Sequence, residues 1–220
     1  YLTKYFRVTV FDNRGAGESS DKNIDYSIDL MADDTIAIMD HLQMERASII
    51  GHSMGGFILQ SLAARYPTRL HKAIFLCSRL LDNPRYMLHN TINQVMQDNN
   101  IDEEYLYKNQ ALFLFSSKHI GTTDSIQQFI NYRKSHPQSQ AGFNGQHHAL
   151  MQFNKTELLS QIEGKVSCYA IYGDDDLIAT PDTANFIQQK IPSVQTRIFP
   201  NCGHLPQMET PKTLAQTVCE

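Results

Sequence analysis

The chain has 220 residues, enough for one domain with an inserted subdomain. With 41% hydrophobic and 19% charged residues it can bury a sizeable core, which excludes a disordered chain. A net charge of −4, with no Lys/Arg stripe interleaved with aromatics, speaks against nucleic acid or an anionic lipid surface as a partner. No apolar run approaches the roughly 18 residues of a membrane-spanning helix. The four cysteines, Cys77, Cys168, Cys202 and Cys219, are scattered and form no C-x-x-C pair. That pattern reads as reduced thiols in a cytoplasmic protein rather than a disulfide framework or a metal site. The first residues do not read as a secretory leader. The chain starts at Tyr1 rather than Met, which predicts a native start further upstream.

In chain order, Phe6–Phe11 is rich in β-branched and aromatic residues and predicts a strand. Asp12–Ser20 is a turn-rich loop. Ser27 predicts the N-cap of a helix in which Ile28, Met31, Ala32, Thr35, Ile38, Met39 and Leu42 share one face, with Asp29, Asp33 and Asp40 on the other. Ala47–Ile50 predicts a short buried strand, Met54 to about Arg65 a helix ending before Pro67, and Lys72–Cys77 another strand. This alternation argues for a mostly parallel sheet flanked by helices.

The alternation stops after Ser78. Helical patterns cover Arg85–Asp98, Glu103–Phe115, Asp124–Lys134 and Gly145–Phe153, with loops such as Ser135–Gln140 between them. It resumes with a strand at Val166–Tyr172, a helix at Pro181–Lys190, a strand at Val194–Phe199 and a helix from Pro211 to Cys219. The expected division is an α/β core from 1–80 and 162–220 and an inserted helical cap from 81–161.

The chemistry concentrates at Gly51-His52-Ser53-Met54-Gly55-Gly56, between an apolar strand and a helix. A nucleophile held at a sharp strand-to-helix turn needs small residues two before and two after it, here Gly51 and Gly55. The helix N-terminus then faces the place where an oxyanion would form, with the Met54 backbone N–H as a donor. A serine needs a histidine to take its proton, and the histidine needs a carboxylate. The carboxylate candidates are Asp174, Asp175 and Asp176 after the strand ending at Tyr172, with Asp82 as an alternative after the strand ending at Cys77. The histidine candidate is His204 after the strand ending at Phe199. The order Ser, Asp, His is that of α/β-hydrolases.

On these motifs the chain resembles the α/β-hydrolase fold family. Gly-His-Ser-Met-Gly-Gly resembles its nucleophile elbow, and Asp12-x-Arg14-Gly15-x-Gly17-x-Ser19 the loop before it. Gly173-x-x-Asp176 resembles the acid loop, and Gly203-His204-Leu205-Pro206 with Glu209-x-Pro211 the histidine loop. The resemblance implies Ser53, Asp176 and His204 as catalytic residues, no cofactor and no metal. Gln146-His147-His148-Ala149 through Ile162 is similar to the return from the cap in enol-lactonase-like members, including 3-oxoadipate enol-lactonase and aminoacrylate hydrolase. The serine excludes the branches that use an aspartate nucleophile. The resemblance also implies a second oxyanion donor on an earlier loop, with about 40 residues ahead of Tyr1, and a last helix continuing past Glu220.

Other residues have plainer readings. His52 reads as a packed turn residue, Cys202 as a small buried thiol, and Arg14 as pairing with acids or carbonyls of its loop or holding a substrate carboxylate. His147 and His148 project about 100° apart on a helix, a poor metal pair, with a cap-lining role open to one. Phe113, Phe115, Phe129 and Tyr132 read as cap core. The expected function is hydrolysis of a small carboxylic ester or lactone, with self-association into a homodimer left open. Perhydrolysis or lyase chemistry on the same residues, and ligand binding without turnover, are the alternatives.

Overall fold

A computed structural model describes residues 1–19, 25–80, 83–122, 124–136, 138–154 and 156–220. The helices and strands follow in the order α1 (Ile28–His41), β1 (Ala47–His52), α2 (Met54–Arg65) and β2 (Leu70–Leu76). Next come α3 (Pro84–Asp98), α4 (Glu103–Leu114), α5 (Ser117–Ile120), α6 (Ser125–Ser135), α7 (Gln140–Gln152) and α8 (Glu157–Ile162). The chain closes with β3 (Ser167–Gly173), α9 (Asp182–Lys190), β4 (Gln195–Phe199), α10 (Pro206–Glu209) and α11 (Pro211–Cys219). The strands form one parallel sheet in the order β1-β2-β3-β4.

Side chains alternate across the sheet with a period of two. Ala73 and Phe75 of β2 and Cys168, Ala170 and Tyr172 of β3 enter the larger core, with side chains of α1, α2, α8 and α9. Ile74, Leu76 and Ile171 face the other way, against Leu214 and Val218 of α11. The inner strands are covered on both faces, which explains why β2 and β3 read as nearly continuous apolar runs; the edge strands are not, and Ile50 of β1, expected in a buried strand, and Ile198 of β4 are exposed. A third cluster, with Tyr107, Phe115, Phe129 and Ile130, lies among the helices between β2 and β3.

Several element boundaries have a local cause. Ser27 Oγ accepts from the Leu30 N–H at 3.1 Å and starts α1. Ser139 Oγ accepts from the Gly142 N–H at 3.0 Å, so α7 begins at Gln140, five residues before the apolar pattern starts. The acidic side of α1 is partly tied down, although Asp40 stays exposed. Asp29 accepts from Ser61 Oγ at 2.6 Å, and Asp33 meets both Arg65, the last residue of α2, and Tyr66 just after it.

The expected strand at Phe6–Phe11 is not formed. The segment is irregular and joins no ladder among the described residues, and Val8 and Val10 are 44% and 87% exposed. β-Propensity describes fit to a pleated surface, and without a hydrogen-bonding neighbour it does not make a strand.

The turn between β1 and α2 also corrects the sequence reading. A Cβ on Gly51 would lie 2.3 Å from the Gly55 carbonyl oxygen, so that glycine is required. A Cβ on Gly55 would meet nothing within 4 Å. The second crowded position is Gly56, where a Cβ would lie 2.1 Å from Ser78 Oγ and 2.2 Å from Ser78 Cβ. The helix approaches Ser78, two residues past the end of β2, at its third position rather than its second. Gly56→Ala is therefore expected to lower stability by about 1–3 kcal/mol through overpacking. Gly55→Ala should be neutral or stabilise by up to about 1 kcal/mol, since alanine favours a helix. Urea midpoints of the two variants check this; equal losses would remove the steric argument.

Candidate active site

β1 ends at His52, and the backbone turns at Ser53, whose φ of 52° and ψ of −117° lie outside the comfortable range of a non-glycine residue. Neighbouring chain holds this conformation. The Ser53 N–H donates to the Leu76 carbonyl at 3.0 Å, and the Ser53 carbonyl accepts from Ser78 Oγ and the Gly56 N–H, each at 3.0 Å. Ser78 is fully buried. Met54 opens α2, so its N–H is one of the first four of a helix, which have no partner within it.

The loops after β3 and β4 reach the same rim. Asp176 and His204 are each 2% exposed. Ser53 Oγ lies 2.9 Å from His204 Nε2, and His204 Nδ1 lies 2.9 Å from Asp176 Oδ2 and 3.1 Å from Oδ1. Asp176 Oδ1 also accepts the backbone N–H groups of Ile178 at 2.8 Å and Ala179 at 2.9 Å. A carboxylate can only accept, so a neutral imidazole places its proton on Nδ1. Its Nε2 lone pair then faces the serine hydroxyl.

The other acid candidates are used elsewhere. Asp174 Oδ1 accepts from the Cys202 N–H at 3.3 Å, and Asp175 Oδ2 from the Ser117 N–H at 2.6 Å. Asp82 lies outside the described residues.

The main chain of His204 is held at both ends. Its N–H donates to the Leu114 carbonyl at the end of α4, at 2.8 Å. Its carbonyl accepts from His52 Nε2–H, also at 2.8 Å. Burial, and next the neighbouring His204, push the His52 imidazole down to about 4. His52 is thus a neutral donor whose tautomer is fixed by the bond it makes. The sequence identified it only as a packed turn residue.

Cys77, Asp176 and His204 present a thiol, a carboxylate and an imidazole whose ligand atoms lie within 4.8 Å of one another. The carboxylate and both ring nitrogens are already engaged with each other and with Ser53, which suits a proton relay better than an open ligand set. Burial, with Asp176 next to it, holds the Cys77 thiol well above its usual range. The Cys202 thiol is pushed up to about 12, first by burial and then by Glu209. Neither is poised as a nucleophile.

Arg14 forks onto Asp34 of α1, with Nε and Nη2 each 2.7 Å from a carboxylate oxygen, and Nη1 donates to the Asp25 carbonyl at 2.6 Å. Its acidic partner is on the following helix rather than in its own loop. His147 Nε2 accepts from Asn90 Nδ2 at 3.2 Å, and His148 is exposed. Phe115 and Phe129 are core and pack edge to face at 5.4 Å, whereas Phe113 stacks on His89 and Tyr132 is exposed. Sequence reasoning missed Ser78, Leu114 and Ser116. Ser78 had one usable signal, its position straight after a strand beside the turn. The other two sit at a helix end, and nothing local marks which distant loop will meet them.

A sequence model of the α/β hydrolase fold matches residues 1–211. The chain is 29% identical over 221 residues to the pimeloyl-(acyl-carrier protein) methyl ester esterase of Nitrosomonas europaea, covering 96% of this chain and 83% of that protein. Over 74 residues it is 45% identical to 3-oxoadipate enol-lactonase 2 of Acinetobacter baylyi, 34% of this chain and 27% of that protein. The thermophilic esterase of Thermogutta terrifontis has a similar structure, with a TM-score of 0.84 at 24% identity over 99% of this chain and 80% of that one. That likeness speaks to the fold, and with the family match running almost from end to end, the chain belongs to the α/β hydrolase fold family.

Proposed function

We propose that this protein is a serine hydrolase of small carboxylic esters or lactones, with Ser53 as nucleophile, His204 as general base and acid, and Asp176 as the group that orients the imidazole. One observation carries the reading: an unbroken hydrogen-bonded chain from Ser53 Oγ through His204 to Asp176, with links of 2.9 Å. The esterase and lactonase names among its relatives support the substrate class.

In this reading Ser53 Oγ attacks the carbonyl carbon while His204 Nε2 takes its proton. The C=O π bond opens to an oxyanion, which the Met54 N–H stabilises at the positive end of α2. Collapse of the tetrahedral intermediate breaks the bond to the leaving oxygen, which takes the proton from His204. Water, deprotonated by the same imidazole, then attacks the acyl-enzyme, releasing the acid and restoring the Ser53 hydroxyl. Residues 81–161 act as a cap over this rim. Supporting that role, Leu114 bonds His204, Ser117 bonds Asp175, and Gln146 Nε2 donates to the Arg14 carbonyl at 2.8 Å. The four unpaired cysteines fit a cytoplasmic location. Among the described residues no helix is long and apolar enough to cross a membrane.

A fluorophosphonate probe is expected to label the protein, and Ser53→Ala should abolish labelling and lower ester turnover roughly ten-thousandfold or more. Nitrophenyl esters and lactones should be cleaved without added peroxide. Turnover only with peroxide and halide would indicate perhydrolysis, and no labelling at all would indicate a ligand-binding homologue.

His52 sets a pH dependence of stability. Its folded pKa lies below the unfolded one, so the unfolded chain binds the proton first as pH falls. The contribution of neutral His52 is full above about pH 6.5 and is lost as pH falls toward about 4. His52→Gln, whose amide can still donate to His204, should flatten the decline in urea midpoint between pH 7 and pH 5. An unchanged slope would show that His52 is not held neutral.

A further inference from the structure

The loop that carries His204 is tied down by a carboxylate that takes no part in the relay. Glu209 ends the short helix α10, five residues after His204. Its Oε1 accepts the Gly203 N–H at 3.0 Å. Its Oε2 accepts the Ser116 N–H at 3.2 Å and also the Ser116 hydroxyl. Three donors from two distant segments thus converge on one half-buried carboxylate. The approach is close: a Cβ on Gly203 would lie 2.5 Å from the Ser116 nitrogen and 2.9 Å from Glu209 Oε1. The next N–H along, that of His204, donates to Leu114 at 2.8 Å. Two consecutive backbone donors of the histidine loop are therefore spent on the corner between α4 and α5, one directly and one through Glu209.

We propose that Glu209 is a positioning residue for His204, holding the imidazole in line with Ser53 by clamping Gly203 to Ser116. The proposal rests on the serine-hydrolase reading above. The physical reason is that peptide 202–203 lies one residue before the Cα that bears the imidazole, so its orientation sets the course of the chain into His204. Without the carboxylate, the Gly203 and Ser116 N–H groups lose their acceptor in a half-buried corner and the loop must turn to rehydrate them. A displacement of about 1 Å at reacting atoms costs on the order of a hundredfold in rate. A carboxylate suits the task because it accepts all three bonds and donates none, so no rotamer of it opposes a donor.

The chain contains its own control. Glu163 Oε2 accepts the N–H of Ser193 at 3.2 Å and its hydroxyl at 2.9 Å, the same carboxylate–serine clamp at an exposed place. The experiment measures kcat, KM, fluorophosphonate labelling rate and Tm for Glu209→Ala, Glu209→Gln, Ser116→Ala and Glu163→Ala in the protein. Glu209→Ala is expected to lower kcat and labelling rate about 10- to 100-fold with KM within about twofold. Glu209→Gln, which keeps one acceptor but turns a donor toward the other bonds, should fall between Ala and wild type. Ser116→Ala, which keeps the N–H bond to Glu209 but removes the hydroxyl that also accepts the His119 N–H at 3.2 Å, is expected to lose less, about two- to fivefold. Glu163→Ala should leave both rates unchanged. Glu209 variants that lose Tm while folded protein keeps wild-type kcat and labelling would overturn the proposal, leaving Glu209 merely structural. Should Glu209→Ala fail to fold, Glu209→Gln and Ser116→Ala carry the test, and unchanged rates in both overturn it. Failure of the underlying reading looks different: wild-type protein would not be labelled at Ser53.

Discussion

The parallel register of the sheet is the constraint on which everything else depends. His52 pairs with Leu76, Leu76 with Ile171, and Tyr172 with Ile198, so the strands finish within a residue or two of a common line. Because all run the same way, every segment that follows a strand emerges at the same rim. Ser53, Ser78, Asp176 and His204 come from four such segments. No contact between these residues is local in sequence; the ladder brings them together, and helices covering both faces of its inner strands fix it there.

A shared rim does not by itself bring oxygen and nitrogen within bonding distance. That depends on how each loop spends its backbone groups. The serine stays at a positive φ because Leu76, Gly56 and Ser78 bond its peptide groups, compensating a conformation that costs on the order of 1–3 kcal/mol. The carboxylate is aimed by two N–H groups of the loop that follows it. The histidine is held by its main chain as well as its ring, with Leu114 bonding its N–H and His52 its carbonyl. Both ring nitrogens remain available to Asp176 and Ser53.

These differences explain what was legible in the sequence. The serine could be read because its turn demands glycine nearby, and the acid and the histidine because each follows a recognisable strand. Asp176 stood apart from Asp174 and Asp175 only through family resemblance. In the structure it is Asp176 that bonds the His204 ring, while Asp174 and Asp175 bond Cys202 and Ser117. The segment at 6–11 misled because residue preference is local, whereas a ladder needs a neighbour. The steric role that the spacing gives to Gly55 belongs to Gly56, because the crowding comes from Ser78, a residue 22 positions on whose approach no local pattern shows.

The helical segment between β2 and β3 is bound to the rim at points of unequal consequence. Gln146 and Gln138 bond the carbonyls of Arg14 and Gly15, joining α7 and the turn before it to the loop of Asp12. The corner at 114–117 instead bonds both loops that bear Asp176 and His204, meeting the first through Asp175 and the second through Leu114 and Glu209. A shift of α4 along its axis would carry the Leu114 carbonyl with it and draw on the His204 peptide directly. A shift of α7 would act on Arg14, whose guanidinium is pinned by Asp34 to α1 and does not touch the relay. Packing changes in the helical segment are therefore felt by the imidazole in proportion to how far they move the end of α4. The buried cluster that includes Tyr107, Ala111, Phe115, Phe129 and Ile130 packs that end against α6 and resists such movement.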